Sequence, residues 1–102
     1  MRVIWLGVGL SLAMSPAAAA QQKVAASCFY ESGVNNGKTV SDYEIWNTAA
    51  FPIPKGTVVS FTVSTAPGKT FTAKAPTDIA PHDSFASGGT QPAGTCQAWW
   101  MK

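Results

Sequence analysis

Thr57-Val58-Val59-Ser60-Phe61-Thr62-Val63-Ser64-Thr65 is the stretch that decides the fold. Val59, Phe61 and Val63 alternate with Ser60, Thr62 and Ser64, so one side of an extended chain is apolar and the other hydroxylated. That period of two belongs to a strand with one buried face. Lys55-Gly56 turns the chain in, and Ala66-Pro67-Gly68 ends it.

The same pattern recurs on both sides. Thr70 to Ala75 sets Phe71 and Ala73 against Thr70, Thr72 and Lys74, and closes at Ala75-Pro76-Thr77-Asp78. Thr39 to Thr48 sends Tyr43 and Ile45 one way and Asp42, Glu44 and Trp46 the other. Val24 to Glu31 is a further strand, followed by Gly33-Val34-Asn35-Asn36-Gly37, read as a turn because Asn and Gly tolerate positive φ. A weaker run, His82 to Ser87, surrounds Phe85, Gly88 to Gly94 forms a loop, and Thr95 to Met101 is the last strand, with Cys96, Ala98 and Trp100 on its inner face. Pro52-Ile53-Pro54 reads as an extended connection, since two prolines remove backbone donors. Apolar residues do not recur at helical spacing after residue 20. The expectation is all-β: an immunoglobulin-like Greek-key β-sandwich of about six or seven strands over residues 21–102.

Residues 1–20 have a different character. Arg2, the apolar run Val3 to Met14, and Ser15-Pro16 before Ala17 to Ala20 make a secretory signal peptide, cut before Gln21. The run is shorter than the roughly 20 residues a membrane helix needs, so no transmembrane segment is expected after cleavage. Without Arg2, six lysines face Glu31, Asp42, Glu44, Asp78 and Asp83, for a mature net charge of +1. The lysines are scattered, which argues against nucleic acid as a partner.

About 80 residues hold one small core, marginal without reinforcement. Cys28 and Cys96, near the ends of the mature chain, are expected to form a disulfide in an oxidising compartment. Ala25-Ala26-Ser27-Cys28 also resembles a lipoprotein processing box that would acylate Cys28. Pro16, Ala17 to Ala20 and Lys23 separate it from the apolar run, and acylation would leave Cys96 without a partner. The disulfide is the preferred reading.

Tyr43-Glu44-Ile45-Trp46-Asn47-Thr48, then Pro52-Ile53-Pro54-Lys55-Gly56-Thr57, then Ile79-Ala80-Pro81-His82-Asp83-Ser84 resembles the bacterial immunoglobulin-like domains called "cell adhesion related domain found in bacteria". Those domains have an Asn-Thr-Gly strand end and an Ala-Pro-Gly turn, where this chain has Ala49 and His82 in place of the glycines. The resemblance implies an extracytoplasmic spacer or adhesion module and carries no catalytic residue across.

The residues themselves offer little chemistry. His82, the one histidine, is followed directly by Asp83 and Ser84, which alternate faces along a strand and cannot align as base, orienter and nucleophile. His82, Asp83 and Asp78 lack the second His or Cys of a zinc set. Asp42 and Glu44 share a strand face about 7 Å apart, and two acids on a solvent face are ordinarily plain surface. No catalytic residue, metal or cofactor is expected. Candidate ligand-binding residues are Trp46 and Trp99, which point outward if Cys96 points inward, with Asp42 and Glu44 as hydroxyl acceptors. The expected role is a non-enzymatic periplasmic or secreted module of a bacterium acting through contacts with another extracytoplasmic protein. The competing expectation is a small carbohydrate-binding module whose partner is a glycan.

Overall fold

A computed structural model describes residues 21–102; the expected signal peptide lies outside them. The described residues contain strands and no helix, and so no helix long and apolar enough to cross a membrane. The strands are β1 (Lys23–Asn35), β2 (Lys38–Trp46), β3 (Val58–Val63), β4 (Phe71–Lys74), β5 (Ser84–Ala86) and β6 (Cys96–Met101). They form one six-stranded antiparallel sheet in the order β4-β3-β6-β1-β2-β5.

The alternation places the core as read. Tyr43, Ile45, Val59 and Phe61 are fully buried, with Val63, Ala73, Phe85, Ala98 and Trp100 around them. Full burial of side chains of this size is worth about 1.5–3 kcal/mol each. The sheet must curl to achieve this. β2 and β3 stand three strand spacings apart, about 14 Å if flat, yet the rings of Tyr43 and Phe61 lie 5.5 Å apart. Phe61 also stacks on Phe71 at 5.5 Å. Tyr43 Oη donates within the fold, 2.8 Å from Pro92 O and 3.1 Å from Gly94 O. Burial, then the neighbouring Tyr30, pushes its pKa above the usual value.

β1 is the long element that links the two halves of the curl. Its first residues, Lys23 to Ala26, pair with β6, and its remainder, Ser27 to Asn35, pairs with β2. The strand therefore runs through Gly33, Val34 and Asn35, which were expected in the turn. The turn itself is only Asn36-Gly37, at φ 52° and 77°, the two left-handed residues of a type I′ hairpin. Where β1 and β6 part, Cys28 and Cys96 are bonded, with Cα atoms 5.9 Å apart. The sulfur that a lipoprotein reading would acylate is thus held by Cys96.

The Pro52-Ile53-Pro54 connection joins no ladder, but Ile53 is fully buried and exchanges two 2.9 Å backbone bonds with Ile79. This bridge closes one end of the core. Asn47, 1% exposed, knits the same region: its Nδ2 donates to Phe51 O and Ile79 O, both at 2.9 Å, and its Oδ1 accepts from Ala49 N at 2.9 Å.

Candidate functional site

Antiparallel pairing fixes which side chains share the outward face of β1, β2 and β5. Opposite one another are Ser27 and Trp46, Phe29 and Glu44, Glu31 and Asp42, and Gly33 and Val40, with Ser84 and Ala86 beside Trp46 and Glu44. The face is aromatic at one end, where Phe29 is 61% and Trp46 38% exposed, and acidic in the middle. Phe29 was missed in the sequence reading, although parity with the inward Cys28 could have revealed it.

The two candidate tryptophans both point outward but flank β1 on opposite sides. Trp46 stands opposite Ser27, whereas Trp99 stands opposite Ala25 with Lys23 Nζ 4.8 Å above its ring. They line different hollows. Trp46, Phe29, Ser27, Thr48 and His82 border a cleft of about 260 Å³. Trp99 borders one of about 590 Å³ at the parting of β1 and β6, floored by Cys28 and Cys96. Trp100 is core instead, its ring edge-on to Phe51 at 6.0 Å.

The acidic residues are partly engaged already. Asp42, expected on open surface, is buried, because the loop after β5 covers it and Gly88 N donates to its Oδ2 at 3.0 Å. Glu44 accepts from the Ser84 hydroxyl. Glu31 is exposed, and its carboxyl is held above the usual carboxylate range, by partial desolvation first, then by Glu44 and Asp42. A raised folded pKa means the folded state binds more protons than the unfolded chain near that pH. The contribution is full below about pH 4.3, the unfolded value, and is lost as pH rises through the folded one. Glu31→Gln is therefore expected to stabilise the protein at pH 7 by about a few tenths of a kcal/mol, solvent screening keeping the effect small. Urea midpoints at pH 4 and pH 7 would check it: the gain should appear only at the higher pH.

His82 occupies an unusual backbone conformation, φ 67°. The turn Ala80-Pro81-His82-Asp83 is closed by Asp83 N donating to Ala80 O at 3.0 Å, and His82 N donates to Asn47 O at 2.8 Å. A side chain in that region costs about 1–2 kcal/mol that glycine would not pay. His82→Gly should relieve the strain, less about 0.5–1 kcal/mol for the added freedom of the unfolded chain. The net expectation is a gain of about 0.5–1 kcal/mol in denaturant unfolding.

The His82-Asp83-Ser84 sequence does not assemble a nucleophilic site. Asp83 Oδ1 accepts from Ser84 N at 2.8 Å, and the Ser84 hydroxyl is directed to Glu44. Among the described residues no three His, Cys, Asp or Glu side chains are placed to hold a metal ion. The chain matches no family model, no curated protein and no solved structure.

Proposed function

We propose that this is an exported, non-enzymatic module of bacterial immunoglobulin-like type, a β-sandwich whose curled sheet closes over one core, and that it works by contact with another extracytoplasmic protein. The observation that carries this reading is the edge of β1. Among the described residues, the strand from Ser27 to Asn35 pairs only with β2, and Phe29 and Val34 on it are 61% and 74% exposed. Proteins ordinarily blunt such edges with charged side chains, prolines or bulges; before the turn this stretch has no proline, lysine or bulge, and Glu31 is its one charged residue. The disulfide supports an oxidising compartment, and the signal-like leader supports export.

The test is site-specific photocrosslinking of the exported protein in its own compartment. A crosslinker in place of Val34 should capture one defined protein, whereas one in place of Lys55, on the turn before β3, should not. Equal or absent capture at both positions would overturn the reading, as would reproducible turnover abolished by a single substitution.

A second reading, a carbohydrate-binding module, is favoured by Phe29 and Trp46 lying side by side over one cleft. It expects tryptophan fluorescence to change with a cell-wall or plant polysaccharide and the response to vanish in Trp46→Ala. A silent glycan panel would remove its support.

A further inference from the structure

The free edge of β1 has a length, a start and a charge, and together these describe a partner. In an antiparallel pair every second residue turns its N–H and C=O away from its neighbour. On β1 those groups face no strand of the described residues beyond Ala26, where the β6 ladder ends. At Cys28 and Cys96 the Cα atoms are still only 5.9 Å apart, too close for a third strand, since each needs about 4.8 Å on either side. Strand addition can begin only past the disulfide, which leaves Phe29 to Asn35, about 23 Å of edge. That accommodates a strand of ordinary length.

The carboxylates on this face cluster toward the disulfide end of the edge, while Lys38 stands across from Asn35 at the turn. Glu31 lies in the middle of the edge, across from Asp42 and diagonal to Glu44, with Lys38 four residues from Asp42 along β2. Phe29, two residues away on the same face, presents an exposed ring. A lysine or arginine arriving on that face would meet a carboxylate and an aromatic ring together, a charge pair and a cation–π contact. A second copy of this chain, added edge to edge, would instead crowd one acidic face against another, and like charges across a ladder are destabilising.

We infer that the edge of β1 from Phe29 to Asn35 accepts an extended basic segment of another protein as an added antiparallel strand, with its lysines or arginines over Phe29 and Glu31. This rests on the protein-contact reading above and names the partner's chemistry. Main-chain bonds would supply adhesion and the acidic face the selectivity, as in other strand-addition systems. The disulfide sets the limit of the added strand.

The test uses the exported protein and four seven-residue probes: alternating Val and Lys, the same with Glu for Lys, the same with Ser for Lys, and the lysine peptide N-methylated at alternate residues. Amide NMR and hydrogen exchange read where each binds. The lysine peptide should protect alternate amides between Phe29 and Asn35 and bind about tenfold or more tighter than the glutamate peptide. N-methylation along the pairing edge should abolish binding. Glu31→Gln should weaken it about threefold, as should salt of about 0.5 M. Equal binding of the serine peptide would overturn the basic partner while leaving the edge as a protein-contact surface. Equal binding of the N-methylated peptide would overturn strand addition in favour of a face held by charge alone. No binding by any probe, or self-association through β1 instead, would overturn the inference. The Val34 crosslink judges the broader reading separately.

Discussion

Replacing Cys28 and Cys96 together by serine is expected to lower the unfolding free energy by about 4 kcal/mol. The two residues are 68 positions apart, and on the chain-entropy model a loop of that length restricts the unfolded chain by about that amount, with 2–5 kcal/mol the usual span for small exported domains. The native geometry adds a second reason. The bond lies two residues beyond the β1–β6 ladder, which ends at Ala26 and Ala98, and so pins the two strands just where they begin to separate. At the other end of that ladder the chain is tied by Lys102 N donating to Gln22 O at 2.8 Å. A domain of this size melts about 4–8 °C lower per kcal/mol lost, so a fall of roughly 16–32 °C is expected. Thermal scans of the oxidised and reduced protein, with the double-serine variant as control, would check it. Unchanged melting on reduction would contradict this account of the protein's stability.

Asn47→Ala is expected to cost about 3 kcal/mol or more, a large effect for a residue outside the apolar core. One side chain satisfies three backbone groups, two in the turn that follows it, the carbonyl of Phe51 and the N–H of Ala49, and one 32 residues away, the carbonyl of Ile79. Removing it strands those groups in a largely dry region, at about 1–3 kcal/mol for each group left buried. The losses are coupled, so they will not sum simply. Asn47→Asp keeps the acceptor but loses both donations and places a charge at a buried position, and it should be no milder. Urea unfolding gives the magnitude. Hydrogen exchange gives the place: the Ile53–Ile79 bridge and the backbone bonds of Asn47 with His82 and Asp83 should open first. A loss below about 1 kcal/mol would mean that water replaces the side chain without penalty.

Much of this architecture was legible because burial is one-sided. Val59, Phe61 and Val63, or Tyr43 and Ile45, can be assigned inward from alternation alone, and all five are buried. The reading failed where burial fails. The far half of β1 and the start of β2 form a two-stranded ribbon exposed on both faces, so neither face writes an alternating pattern, and Gly33 to Asn35 resembled a turn. Asp42 was misjudged for a different reason. Its parity is outward, but Gly88, 46 residues later, folds over it, and no local rule carries information across that distance. His82 illustrates a third limit: its residue type permits but does not require the left-handed backbone that the Ala80–Asp83 turn imposes.

What the sequence determined by itself is the extended character of each segment, the set of side chains that turn inward, and the pairing of the two cysteines. Only the tertiary structure decided the order β4-β3-β6-β1-β2-β5, the row formed by Phe29, Trp46, Glu31 and Glu44, and the edge between Phe29 and Asn35 that no other described strand pairs. The physical reason is that side-chain alternation specifies which face of a strand is buried. It does not specify which neighbour its backbone will meet, because N–H and C=O groups are the same at every residue but proline, and partners are chosen by how the whole chain closes over its core.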